Sequence, residues 1–256
     1  MTTTKLTQRA AMICLHHLLA AGAFSLLACA SASAEEKKPD NEVTGNAALT
    51  TDYRYRGISQ TRLQPALQGG VDYTHNPSGF YLGAWASTIK WTKDAGGGGD
   101  FELDLYGGKR GEISKDLTYD IGALAYAYPS NGLKPNANTF EIYGQLNYGV
   151  AYVKYSHSLT NLFGFADSKN SGYLDLGANI DISNGYILNL HAGRQVVKRN
   201  SAASYTDYKI GITKDFGFAT VALAIIGTDT KTYVSPAPDS KNLGKTNAVL
   251  SISKTF

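Results

Sequence analysis

Residues 173–182 read YLDLGANIDI. Leu174, Leu176, Ala178, Ile180 and Ile182 stand at every second position, against Tyr173, Asp175, Gly177, Asn179 and Asp181. Strict alternation is the period of a β-strand with one apolar face. The opposite face carries a carboxylate at mid-strand, which the core of a soluble sandwich does not accept. One arrangement that fits is a strand that shows its apolar side to lipid and its polar side to a lumen, and the order of the connections decides for it. Such a strand needs lipophilicity on every second residue only, because its backbone groups are satisfied by its neighbours.

The same period recurs outward in both directions. Phe101, Leu103 and Leu105 alternate with Glu102, Asp104 and Tyr106, and Phe140, Ile142 and Leu146 with Glu141, Tyr143, Gln145 and Asn147. In 47–56, Ala47, Leu49, Thr51, Tyr53 and Tyr55 alternate with Ala48, Thr50, Asp52, Arg54 and Arg56. Strands are predicted over 47–56, 66–75, 80–89, 101–110, 117–128, 139–147, 150–159, 172–182, 186–197, 205–214, 218–228 and 246–256. The breaker-rich connections between them are long and short in turn. The long ones are Gly57–Gln64, Lys90–Asp100, Pro129–Asn138, Thr160–Ser171, Lys198–Ser204 and Asp229–Lys245. The short ones are Asn76–Gly79, Gly111–Asp116, Tyr148–Gly149, Ser183–Gly185 and Asp215–Gly217. A barrel crossing a membrane sorts its loops this way, with tight turns at the periplasmic rim and longer loops outside. The expected fold is all-β, a transmembrane up-and-down antiparallel β-barrel of about twelve strands, with ten or fourteen as the alternatives if one hairpin is misdrawn.

The chain's ends agree. Lys5 and Arg9 precede an apolar stretch, Met12–Ala30, and Ala32-Ser33-Ala34 is a small-x-small cleavage site, so 1–34 reads as a cleaved signal peptide. A lipid-attachment box at Leu26–Cys29 is the alternative. Cleavage after Ala34 removes both cysteines, Cys14 and Cys29, and lowers the formal charge of +3 by two. That excludes a disulfide framework and leaves no basic patch for nucleic acid. Residues 35–45 are expected as a short periplasmic segment or plug, and 46–256 as the barrel. At the other end Ala248, Leu250, Ile252 and Phe256 share a face, with Lys254 snorkelling at the rim. A final strand ending in Phe256 resembles the signal read by the barrel assembly machinery.

Seventeen tyrosines are many for 256 residues. Tyr53, Tyr55, Tyr73, Tyr81, Trp85, Trp91, Tyr126, Tyr128, Tyr148, Tyr155 and Tyr186 fall near strand ends or outward positions and read as interfacial girdles. Gly96–Gly99 is a loop tip rather than a phosphate cradle, since no Lys-Ser or helix start follows.

The stretch Thr51–Gln60, with Pro65-Ala66-Leu67-Gln68-Gly69-Gly70, Asp72-Tyr73, Gly79-Phe80-Tyr81 and Gly83–Ser87, resembles the opening of the TorF family of proposed outer-membrane porins. Glu102-Leu103-Asp104, Tyr106-Gly107-Gly108 and Ser253–Phe256 fit the same pattern. The resemblance implies a small barrel and a pore. It carries over no substrate and no catalytic residue.

In this register the lumen collects Asp52, Asp72, Glu102, Asp104, Asp120, Glu141, Asp175, Asp181, Asp207 and Asp215, opposed by Arg54, Arg56, Arg110, Lys154 and Lys209. Acids lead by about two to one, and carboxylates in a narrow passage favour cations. The expected function is a narrow aqueous channel for passive diffusion of small solutes or ions, with mild cation preference. Arg54 and Arg56 are expected to face Asp52 and Glu102 at the constriction. The expected partners are outer-membrane lipid and lipopolysaccharide, the assembly machinery and the solutes themselves, with no cofactor, metal or nucleic acid.

Two other classes compete. A non-conducting barrel would act as anchor or adhesin through its outer loops, Asp229–Lys245 being the longest. A lipid-hydrolysing barrel would need a Ser–His pair at the surface. Ser156-His157-Ser158 is the tempting triplet, but neighbours on a strand point to opposite faces. His75 reads as a rim residue and His191 as a polar lumen group, so no enzyme is expected.

Overall fold

The computed structural model describes residues 38–256. The expected leader, 1–34, lies outside them. The strands are β1 (Asn41–Thr50), β2 (Arg54–Tyr55), β3 (Ile58–Ser59), β4 (Ala66–His75), β5 (Phe80–Thr88), β6 (Phe101–Ser114), β7 (Leu117–Ala127), β8 (Thr139–Tyr148), β9 (Ala151–Ser158), β10 (Gly172–Asp181), β11 (Tyr186–Val196), β12 (Tyr205–Asp215), β13 (Thr220–Thr228) and β14 (Asn247–Thr255). β1 and β4 to β14 form a closed antiparallel barrel in which each strand pairs with its neighbours in sequence, and β14 closes on β1. β2 and β3 form a separate small hairpin.

Alternation sets the wall. On β10, Leu174 and Leu176 are exposed while Tyr173 and Asp175 are buried. Leu67, Leu82, Leu105, Ile121, Ile142, Ile210, Leu223 and Ile252 extend the exposed apolar band around the barrel. In water such a band would be an aggregation site; in a bilayer it is the lipid-facing belt. Register is pinned where a one-residue slip would turn this belt inward. A bulge between Glu112 and Ser114 is the one interruption in the β6–β7 ladder.

Two expectations are corrected. The first wall strand is β1 at Asn41–Thr50, not 47–56. Asn41–Gly45, expected as a periplasmic segment or plug, therefore lie in the wall, paired with Val71–His75 of β4. Val43 and Leu49 face outward in phase, so these residues have the strand period. The chain then leaves the wall after Thr50, and Arg54–Ser59 turn into the barrel as the β2–β3 hairpin. The plug is thus a loop between strands rather than the amino-terminal segment.

The second correction concerns the aromatics. Tyr73, Tyr148, Tyr155 and Tyr186 are exposed on the outer surface as a girdle requires, whereas Tyr53, Tyr55, Tyr81, Trp85, Tyr126 and Tyr128 are buried. Inside the barrel, tyrosine rings lie over glycines of neighbouring strands, Tyr143 over Gly122, Tyr152 over Gly177 and Tyr173 over Gly193. A side chain at any of these glycines would meet a ring. Gly193→Val is expected to lose about 1–3 kcal/mol, the usual cost of overpacking, measured by urea unfolding of the folded barrel.

Candidate functional site

The lumen is built by tyrosine hydroxyls donating to carboxylates. Tyr81 donates to Asp120 at 2.6 Å, Tyr106 to Asp72 at 2.6 Å, and Tyr173 to Asp207 at 2.8 Å. Tyr53 and Tyr128 both donate to Glu102, each at 3.3 Å. Most acids expected in the lumen are there: Asp52, Glu102, Asp104, Asp120, Glu141, Asp175 and Asp207 are buried, and Asp72 is half-buried. Asp181 and Asp215 are not part of a constriction. Both are exposed at the short-turn rim, where their carboxylates accept the backbone N–H of Ser183 and Gly217 at 2.8 Å and 2.7 Å. Their phase is inward, but the wall ends before it can enclose them.

The inner hairpin divides the interior. Asp52 accepts Arg54 Nε at 2.5 Å and Ser59 Oγ at 2.6 Å. Arg54 Nη1 donates to the carbonyls of Gly57 at 2.9 Å and of Leu243 and Lys245 at 3.1 Å. This ties the hairpin to the loop joining β13 and β14. Arg56 forks onto Glu141 at 3.1 and 2.6 Å, and also donates to Gln195 at 2.7 Å. Its guanidinium lies 4.3 Å from the Tyr173 ring centroid. Tyr55 donates to Tyr126 at 2.7 Å. The two arginines thus pair with Asp52 and Glu141; Glu102, the expected second partner, is held by tyrosines instead.

Gly57 sets how closely the hairpin tip can approach the wall. Its φ is +80°, and a Cβ there would stand 2.6 Å from both Asp207 Cβ and Thr228 Cγ2. Only glycine combines that left-handed backbone with that approach.

Below the hairpin, towards the short-turn rim, lies a polar cavity of about 220 Å³. Its charged lining is Asp52, Asp175 and Asp207 against Arg54, Arg56, Lys154 and Lys209, with His191 among them. His191 Nδ1 is 2.8 Å from Asp175 and Nε2 is 2.6 Å from Asp207. Lys154 Nζ stands 4.1 Å from the Tyr143 ring centroid. On the other side of the lumen, under Tyr53 and Trp85, Glu102 and Asp104 are buried. Glu102 Oε2 and both Asp104 oxygens meet no hydrogen-bond partner among the described residues. Carboxylates placed so bear a large desolvation cost, which any movement admitting water relieves.

Above the hairpin the long loops enclose a second chamber of about 420 Å³. The 229–246 loop folds over the mouth: Tyr233 packs on Tyr205 at 5.3 Å between centroids and donates to Ala203 O at 2.7 Å. Burial pushes the Tyr233 phenol pKa up, so it stays a donor. Arg62 is hydrogen-bonded to Asp94, which holds the guanidinium pKa above its ordinary value. Tyr55 lines both chambers, so the hairpin is the septum between them.

The triplet Ser156-His157-Ser158 splits as strand geometry requires, the serines buried and His157 beside Tyr155 on the outer side. His75 Nδ1 lies 2.6 Å from Ser78 Oγ, a contact inside a four-residue turn. Among the described residues no group of His, Asp and Glu converges to hold a metal ion. The aromatic chamber was not anticipated, because its rings come from several loops, from the inner hairpin and from Tyr205 at the start of β12. The one local signal is the density of Phe and Tyr in loops, at Phe163, Phe165 and Tyr233.

A family model described as a bacterial protein of unknown function, Gcw_chp, matches residues 34–256. That description does not carry the TorF label. No curated protein matches the chain. Among solved structures, a KdgM porin superposes with a TM-score of 0.54 at 4% identity, covering 83% of this chain and 98% of that one. A KdgM porin in complex with disordered oligogalacturonate gives 0.53 at 6%, covering 84% and 98%. A NanC porin gives 0.52 at 9%, again covering 84% and 98%. At these identities the likeness is one of fold.

Proposed function

The chain belongs to the Gcw_chp family, and from that premise and the barrel's interior we propose that it is a porin-like channel of the Gram-negative outer membrane. It passes small solutes or ions by passive diffusion, with the β2–β3 hairpin as its gate. The observation that carries this reading is the stacked pair of chambers inside a twelve-stranded wall, divided by a loop rather than by the wall itself. An eight-stranded barrel is filled by side chains, whereas one of sixteen is an open channel. Twelve strands leave room that this chain partly closes with residues 51–65.

The mild cation preference follows from the same division. With the hairpin seated, the lower cavity has nearly balanced charge. With the hairpin displaced, Glu102, Asp104 and Glu141 join the lining, and the acids then lead. The likeness in fold to porins favours transport over an anchoring or adhesive role, and so does the way the 229–246 loop folds inward instead of projecting. Residues 1–34 serve as the export signal, and Phe256 as the mark for the assembly machinery. The outward belt meets lipid and lipopolysaccharide.

The deciding measurement is single-channel recording of the refolded mature chain in a planar bilayer under a salt gradient. Discrete steps with a cation-biased reversal potential are expected. A folded, heat-modifiable barrel that never conducts overturns the proposal.

A further inference from the structure

The upper chamber has a chemistry that the channel reading does not require. Its walls are ring faces and edges: Trp91, Phe163, Phe165, Tyr205 and Tyr233 line it. They are held in edge-to-face order, Trp91 against Tyr128 at 4.9 Å and Phe165 against Tyr233 at 6.4 Å between centroids. A volume of about 420 Å³ lies within the range of small-molecule sites, which are mostly apolar with a few placed polar groups. The carboxylate in the lining, Asp94, is already engaged by Arg62. Gln60, Gln195 and Thr232 are the polar side chains set among the rings.

We propose that this chamber is a binding site for a neutral oligosaccharide, the solute class the channel admits; the proposal rests on the channel reading above. A sugar ring has two kinds of surface. Its C–H face is apolar and carries partial positive charge, which suits the negative face of an aromatic ring. Its edge is a rim of hydroxyls, which suits the Gln60, Gln195 and Thr232 side chains of the same lining. An acyl chain would fill the same space but strip water from those polar side chains without replacing it, which costs free energy. A charged solute would find no buried opposite charge to receive it, since Asp94 is already paired with Arg62 and Lys134, the other charged residue of the lining, is exposed. The neutral, amphipathic solute is the one that satisfies both kinds of wall.

The chain contains two tryptophans, Trp85 and Trp91. Trp85 is buried in the lumen cluster, so Trp91 is the reporter of the chamber. The test titrates the folded barrel in nanodiscs with maltose, maltotriose and maltohexaose, with decanoate as apolar comparator, reading tryptophan fluorescence and calorimetric heat. Saturable binding that tightens with chain length is expected. Phe163→Ala should weaken it roughly tenfold by calorimetry, the loss of one good ring contact. Trp91→Phe should abolish the fluorescence change and weaken the calorimetric affinity. No heat with any saccharide, binding of decanoate alone, or a fluorescence change that survives Trp91→Phe overturns the proposal. Conductance of the same preparation separates the two readings. A conducting barrel indifferent to saccharides removes the site and keeps the channel, and a saccharide-binding barrel without conductance does the reverse.

Discussion

Replacing Asp52 by asparagine will open the barrel without unfolding it. Asp52 and Arg54 have side chains only 2% exposed, and Asp52 is the carboxylate that the Arg54 guanidinium reaches. Removing one partner of a buried pair leaves the other charge uncompensated, at a cost of about 3–5 kcal/mol. The hairpin can escape that cost without breaking the wall, because the β1–β4 and β1–β14 ladders end at Thr50. Every 1.4 kcal/mol is tenfold, so the closed population should fall by roughly a hundredfold or more. Single-channel recording should show larger and longer openings, and trypsin should cut at Arg54 or Arg56 while the barrel remains heat-modifiable. The double variant Asp52→Leu with Arg54→Met removes the charge from both partners and should open less than Asp52→Asn, since an apolar pair replaces a buried ion pair, although the carbonyls of Gly57, Leu243 and Lys245 lose their donor. Unchanged conductance and protease resistance in Asp52→Asn would mean that the hairpin is a fixed part of the wall lining and not a gate.

The hairpin is the part of the molecule that sequence alone leaves hidden. The wall is legible because alternation and breaker residues are local: β4 runs over Ala66–His75 as expected, and most other wall strands lie within a few residues of their expected bounds. The hairpin is not, because Tyr53 and Tyr55 alternate with Asp52, Arg54 and Arg56 whether the segment lies in the wall or turns inside it. Period two reports an extended chain, not where its two faces point. The tyrosines mislead for a related reason. An amphipathic ring suits a lipid interface and a carboxylate-lined lumen equally, and only the glycine on the adjacent strand, as with Tyr173 and Gly193, distinguishes the second case. Nearly all the lumen acids were legible, since wall phase follows from a single residue. Their partners were not, since Arg56 and Glu141 are brought together by the hairpin's path across the barrel.

Exchanging Asp175 and Asp207 together for asparagine should abolish the cation preference of the channel. In the lower cavity these two carboxylates and Asp52 stand against Arg54, Arg56, Lys154 and Lys209, and Asp52 is bound to Arg54. Without them Lys154 and Lys209 face the passage with no acid from β10 or β12 beside them, and His191 loses both carboxylates that flank its ring. Fixed charge of one sign in a narrow, low-dielectric passage concentrates the opposite ion. The reversal potential in a potassium chloride gradient should therefore fall from its cation bias towards zero, with the largest change at low salt, where screening is weakest. The comparator is Glu102→Gln with Asp104→Asn on the covered side of the lumen. If ions pass only when the hairpin lifts, this pair also lowers cation preference. If they pass beside a seated hairpin, it leaves selectivity unchanged, because those carboxylates stay buried beneath Tyr53 and Trp85. A bias insensitive to both double variants would place the ion path outside the lumen and end the porin reading.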